Sequence, residues 1–327
     1  MRAAVVVEDR KMIVKDMPVP EPKEDEVRIK VAMAGLCGSD FSLFHGKCKV
    51  PFPVIGGHEA VGSIDKTGPG VDPGLVGQRV TIHPNYYCSE CGPCKKGLTN
   101  ICEKKVRLGI DADGVFAEYV VVNAKQAIPV PAGLKDEVAV FAEPLSVITH
   151  AMNVAAPAPD DKVLIFGAGA MGLITLQMAK LHGGKVTSCD IQEERIQKAK
   201  ELGAVDTIGP NDTPSDYYNR FDIVYETSGA PIALAEAMNF VAPGGTIVVL
   251  GLPGQSSPIS AEQIVRKEIK ILGSMIYTNE FARSMEILLE GKIDTQALTS
   301  GILSLDEIAG ALVDFRSPVR VKTLVKI

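Results

Sequence analysis

The spacing of apolar residues along this chain changes character near residue 160. Before it, short apolar runs alternate with polar positions. In EVRIKVAMAG, Val27, Ile29 and Val31 are separated by Arg28 and Lys30, the period of two expected of a strand buried on one face. AVGSIDKTG, GQRVTIHP and FAEYVVVNA read as further strands, divided by Gly, Pro and Asp turns. The first part of the chain, to about residue 145, therefore predicts a β-rich domain.

After residue 160 the runs become denser. VLIFG (163–167) is almost wholly apolar, as suits a strand covered on both faces. AMGLITLQMAKLH (170–182) places Met171, Ile174, Met178 and Leu181 on one helical face. KVTSCD (185–190) predicts a second strand and EERIQKAKELG (193–203) a helix closed by a glycine. DIVYETSG (222–229), GTIVVLG (245–251) and IKILGSM (269–275) add strands with helical runs between them. Alternation of this kind predicts an α/β domain with a doubly wound parallel sheet. The tail from about residue 295 ends in VRVKTLVKI and alternates again, so it can rejoin the first domain. The expected organisation is 1–145, 146–280 and a return over 281–327.

Composition narrows the function classes. A chain of 327 residues that is 46% hydrophobic can fill two cores. A net charge of −6 argues against non-specific nucleic-acid binding. No run of eighteen apolar residues predicts a membrane span. The N-terminal MRAAVVVEDRKMIV turns charged too early for a secretory signal. Seven cysteines without such a signal point to a reducing compartment, so a cytoplasmic protein is expected.

Four of those cysteines, Cys88, Cys91, Cys94 and Cys102, fall in CSECGPCKKGLTNIC. This spacing can close four thiolates around one zinc with no open position, a structural site. Two disulfides, free thiols or an iron–sulfur cluster are the alternatives. Gly167-Ala168-Gly169-Ala170-Met171-Gly172 is G-x-G-x-x-G, placed after a predicted strand and opening a predicted helix. In that context Gly167 makes the tight turn, Gly169 admits a pyrophosphate and Gly172 lets helix and strand pack closely. Asp190, after the second strand, can accept hydrogen bonds from both ribose hydroxyls and would repel a 2′-phosphate. NAD is therefore expected rather than NADP. A second donor set is dispersed: Cys37 in GLCGSD, and His58 with Glu59 in GGHE. Three such ligands around zinc leave a position open. A core cysteine and a surface His–Glu pair would have the same spacing.

Taken in order, GLCGSD, GGHE, the cysteine lobe, AEPLSV (142–147), GAGAMG and the closing strand resemble the zinc-containing medium-chain dehydrogenases of the alcohol dehydrogenase superfamily. The polyol and threonine dehydrogenase branch is the most similar. The resemblance implies a GroES-like catalytic domain, a Rossmann domain and a dimer or tetramer. It implies two zinc ions per chain, with Cys37, His58 and Glu59 on the catalytic one. Ser39 would receive the substrate hydroxyl proton, and Asp40 would hydrogen-bond His58 and fix its tautomer. Glu143 stands where relatives carry either a third ligand or a partner of the zinc-bound water. Charge counting favours the second role, because zinc with one thiolate, one carboxylate and a neutral imidazole is already formally neutral. Arg195 would help hold the adenosine ribose; Met171, Leu250, Gly251 and Ser274 complete the expected cofactor set.

The implied reaction is oxidation of a secondary alcohol, a polyol, sugar acid or similar small polyhydroxy compound, or reduction of the corresponding ketone. Zinc lowers the pKa of bound water from ~16 to about 7, and a similar shift would make an alcohol a hydride donor. L-Threonine 3-dehydrogenase is the alternative activity. A non-catalytic NAD-binding protein and a zinc-ribbon nucleic-acid binder are the alternatives of other classes. Three places depart from the family, one of them around Leu43-Phe44, where many sorbitol dehydrogenases place a tyrosine near the substrate. Ser42 replaces a histidine that finishes the proton relay, which leaves His45 as a candidate. Ile276-Tyr277 replaces the Arg-Tyr pair of sorbitol dehydrogenases.

Overall fold

The computed structural model describes residues 1–50 and 52–327. The chain divides into two compact units. The first comprises Met1–Pro144, Phe281–Glu290 and Thr299–Ile327; the second comprises Leu145–Glu280 and Gly291–Leu298. The stretch after residue 281 is thus shared between them. Gly291–Leu298 belongs to the second unit, where the Asp294 N–H donates to Gln177 Oε1 (2.7 Å) and Ile293 and Leu298 are buried.

In the first unit, Glu26–Gly35 is the long central strand of a seven-stranded sheet. One side pairs antiparallel with Glu59–Thr67, which continues to Arg79–Ile82 and Ala127–Pro129. The other side is divided lengthwise. Residues 26–30 pair with Tyr119–Asn123, and residues 33–35 with Lys322–Lys326. Thr299–Ser304 then runs parallel to Lys322–Lys326. Val27, Ile29 and Val31 are buried while Arg28 is half-buried and Lys30 exposed, so the alternation read from sequence is realised. These side chains join one core with Ile64, Val120, Val122 and Val325, each contributing roughly 1.5–3 kcal/mol of burial.

The second unit is a six-stranded parallel sheet in the order Asp206–Ile208, Lys185–Cys189, Lys162–Phe166, Phe221–Glu226, Val241–Val249, Lys270–Gly273. Strand order reverses between Lys162–Phe166 and Phe221–Glu226, the switch point at which doubly wound sheets take ligands. The helix Ala170–Leu181 differs from its expected one-sided stripe. Residues 172–179 are all buried, including Thr175 and Gln177, whereas Leu181 is 46% exposed. A helix covered on every side carries apolar residues all round, and Leu181 lies beyond the cover, in the last turn.

Among the described residues no helix is long and apolar enough to cross a membrane.

Candidate active site and metal centres

Cys37 ends the turn after the central strand and precedes the helix Gly38–Phe44. Asp40, almost wholly buried in the first turn, ties that turn down. Its Oδ2 accepts from Cys37 N (2.8 Å) and its Oδ1 from Gly57 N (3.2 Å). Gly57 has φ +88, a backbone state that side chains rarely adopt, and it brings the GGHE turn onto the same carboxylate. His58 and Glu59 follow, both buried. One donor atom each from Cys37, His58 and Glu59 lie within 4.8 Å of one another.

The Ser39 hydroxyl sits among these donors. Its Oγ lies 3.3 Å from Cys37 Sγ and 3.3 Å from His58 Nε2. His58 therefore turns Nε2 toward the thiol and Nδ1 toward Asp40. Nδ1 is 3.4 Å from Asp40 Oδ1, an ionic contact on the side where the Asp40–His58 hydrogen bond is expected, while each carboxylate oxygen also accepts from a backbone N–H group. Burial works to lower the His58 pKa, but the charges of Asp40 and Cys37 outweigh it and hold the imidazolium well above its usual range. A dication beside the ring would displace that proton.

Sequence reading missed Lys322. It lies on the last strand, where alternation with Val321 gives it the look of a solvent-facing residue, yet it is 3% exposed. Its Nζ forms an ion pair with Glu59 Oε2 and donates to the Leu36 carbonyl (2.9 Å). Burial pushes this ammonium down, while Glu59, Cys37 and Glu143 together keep it above the ordinary lysine value. Glu143 is buried at the start of the helix Ala142–Val154, outside the set of three mutually close donors. His45 is placed elsewhere. Its Nδ1 donates to the Phe41 carbonyl (3.0 Å), its ring packs on Phe41 and Phe44, and no hydrogen bond joins it to Ser39 among the described residues. The Ser42 hydroxyl donates to the Gly38 carbonyl (3.1 Å).

The cysteine lobe is built differently. Cys91 opens the short helix Gly92–Lys95, and Pro93 stands in its first turn. Sγ atoms of Cys88 and Cys102 are 3.5 Å apart, and those of Cys91 and Cys102 3.9 Å. A tetrahedron with zinc–sulfur bonds of about 2.3 Å has edges of roughly 3.8 Å, so the thiols fit one zinc. All seven cysteines are free, which removes the disulfide alternative. Backbone N–H groups of Cys88 and Lys104 point at Cys102 Sγ, and that of Cys91 at Cys88 Sγ, each at 3.3 Å. The Glu90 and Cys91 N–H groups pull the Cys88 thiol down to about 6. Burial, then the crowding of Cys91 and Cys102, pushes Cys94 up to about 12.

In the second unit the glycine turn closes the switch point. Gly167 has φ +94, and a Cβ on Gly172 would lie 1.7 Å from the Gly167 carbonyl oxygen; the Cβ side of Gly169 is open. Asp190 Oδ2 accepts from Ala168 N (2.7 Å) and Oδ1 from Gln192 N (2.9 Å), so this carboxylate braces the turn as well. Each oxygen retains a second lone pair for a ligand hydroxyl. Arg195 Nη1 is 3.8 Å from Asp190 Oδ2, with its Nε buried and without a partner. Leu250 N and Gly251 N donate to the Glu226 carbonyl. The Glu226 carboxylate, also absent from the sequence reading, accepts from Ser228 N, Ser228 Oγ and Gly229 N. Ser274 Oγ is buried with no partner, as a ligand-facing hydroxyl would be. Met171 is half-buried in the first turn of the helix.

The chain and its fold have counterparts among known proteins. Residues 23–132 match the alcohol dehydrogenase GroES-like domain and residues 170–290 the zinc-binding dehydrogenase family. Sorbitol dehydrogenase of Bacillus subtilis strain 168 is 33% identical over 95% of this chain and 92% of its own length. Galactitol 1-phosphate 5-dehydrogenase of Escherichia coli K12 is 32% identical over 96% of each. Among solved structures, the alcohol dehydrogenase rspB of Escherichia coli CFT073, complexed with NADH, superposes with a TM-score of 0.94 at 31% identity, covering 100% of this chain and 99% of its own. A zinc-binding dehydrogenase of Sinorhizobium meliloti 1021 bound to NADP gives 0.95 at 30% identity, with the same coverage. The chain belongs to the zinc-binding dehydrogenases of the alcohol dehydrogenase family. It is an enzyme that exchanges hydride between a CH–OH group and a nicotinamide dinucleotide.

Proposed function

We propose that this dehydrogenase oxidises a secondary alcohol of a polyol, sugar acid or related small polyhydroxy compound with NAD. Two zinc ions per chain are part of the reading, one held by Cys37, His58 and Glu59, the other by Cys88, Cys91, Cys94 and Cys102. The observation that carries it is the Ser39 hydroxyl, set against both Cys37 Sγ and His58 Nε2 beside the unpartnered Glu59 Oε1. Zinc at those donors supplies the Lewis acid that makes a substrate hydroxyl acidic. Ser39 is positioned to take the proton, and its Oγ can hold it while passing its own onward. Glu143 supplies a carboxylate for a hydroxyl or water near the donors. Asp190 and Arg195 select and hold the ribose, Gly169 leaves room for the pyrophosphate, and the Ser274 hydroxyl faces the cofactor.

Relatives that act on sorbitol and galactitol 1-phosphate favour the polyhydroxy class over L-threonine. The preference for NAD rests on Asp190, since these folds take NADH in one relative and NADP in another. A cytoplasmic homodimer or homotetramer completes the proposal, supported by seven cysteines of which none is in a disulfide.

The test is NAD reduction across polyols, aldonic acids, inositols and threonine, with zinc counted per chain. Turnover of threonine alone, or one zinc in the fully active enzyme, would refute the reading. Asp190→Ala should lower kcat/KM for NAD and relax discrimination against NADP; a wild type already favouring NADP would refute the cofactor choice.

A further inference from the structure

The first unit buries a lysine where a metal site gathers anions. Glu59 is 1% exposed, and a Cβ on Gly35 would fall 2.1 Å from its Oε2, so the carboxylate lies in the space that a side chain at position 35 would fill. Glu59 Oε1 has no hydrogen-bond partner, and Lys322 is the cation paired with Oε2 among the described residues.

We propose that Lys322 is the resident counter-ion of the catalytic donor set, a positioning residue that keeps the zinc-free pocket folded and thereby moderates its hold on zinc. The inference rests on Cys37, His58 and Glu59 being the catalytic zinc ligands. An uncompensated buried carboxylate is strongly destabilising, whereas a carboxylate on a dication is compensated. Loss of the lysine therefore penalises the zinc-free protein more than the loaded one. By linkage, that difference appears as tighter zinc binding. The ion pair with Oε2 also leaves Oε1 for the metal.

The full-length wild type, Lys322→Met, Lys322→Arg and Glu59→Gln/Lys322→Met proteins would be melted zinc-loaded and after chelator treatment, with zinc counted per chain. The cysteine lobe loses its zinc equally in every protein, so its contribution cancels. Stripped Lys322→Met should melt about 5 °C or more below stripped wild type, and the loaded pair within about 2 °C of each other. Chelator should remove one of its two zincs at least about tenfold more slowly than from wild type. Lys322→Arg should behave as wild type. The double variant, which removes the unpaired charge, should recover most of the stripped-state loss, and it serves as the comparison even where stripped Lys322→Met does not fold. Equal losses in both metal states, faster zinc release, or a double variant as unstable as Lys322→Met would overturn the inference alone. A wild type that binds one zinc per chain would overturn the ligand assignment and this inference with it.

Discussion

The two donor sets of the first unit handle negative charge in opposite ways. In the cysteine lobe three thiols are half-buried and that of Cys102 is buried, with backbone N–H groups aimed at the sulfurs of Cys88 and Cys102. Every donor is alike, and a tetrahedral ion would be fully enclosed. In the Cys37–His58–Glu59 set the donors differ, His58 and Glu59 are buried, and a lysine, a hydroxyl and a second carboxylate stand close by. The contrast teaches that the anion count at a metal site says little about its role. What separates them is whether the neighbours close the site, as the lobe's peptide groups do, or supply chemistry, as Ser39 and Glu143 can.

The largest effect that could break this contrast comes from exchanging one cysteine in each set. Cys37→Ser should reduce kcat/KM by about 10³-fold or more, since a Lewis acid contributes several kcal/mol, with the melting temperature little changed. Cys91→Ser should lower the melting temperature first, with activity per folded molecule retained. Comparable loss of activity in both, at equal stability, would erase the division of labour.

Next in size is Ser39→Ala, expected to lower kcat for alcohol oxidation by about 10²–10⁴-fold and to alter its pH profile. An unchanged profile would remove Ser39 from the proton path. His45→Ala is the companion, expected to stay within about threefold of wild type, because that ring is packed on Phe41 and bonded to its own helix. A loss matching that of Ser39→Ala would restore His45 to the relay.

The smallest effect concerns the lobe alone. The thiolate is the nucleophile, so alkylation accelerates as pH rises through the thiol pKa. In stripped protein Cys88 should be labelled first, with a midpoint near its value of about 6, and Cys94, held at about 12, last. Uniform labelling of the four, followed by peptide mass analysis across pH 5–8, would show that the peptide groups do not differentiate them.

Much of this was legible in the sequence. Val27, Ile29 and Val31 announce their sheet face because each exchanges water for the same core. The glycine turn and the four cysteines are contiguous, so their spacing carries their geometry. Lys322 was not legible, since its burial depends on a carboxylate and a carbonyl delivered from residues 59 and 36. The double use of Asp190 was hidden for a related reason. A carboxylate after a second strand suits a ribose, and nothing local says that Ala168, 22 positions earlier, has called on it first. Leu181 misled because periodicity assumes one covered face, whereas that helix is covered on all sides until its final turn.

The lengthwise division of the central strand has a consequence for how the molecule is made. Residues 33–35 wait for Leu324–Lys326, and the Leu36–Lys322 hydrogen bond spans 286 positions. A ribosome that has delivered both units as far as Leu298 has not yet delivered that strand. The nascent first unit therefore carries an open sheet edge and lysine-free anions until Lys322–Lys326 emerges. Contacts of such separation form late and slowly, so the time of greatest exposure to aggregation lies between emergence of Glu26–Gly35 and emergence of Lys322–Lys326.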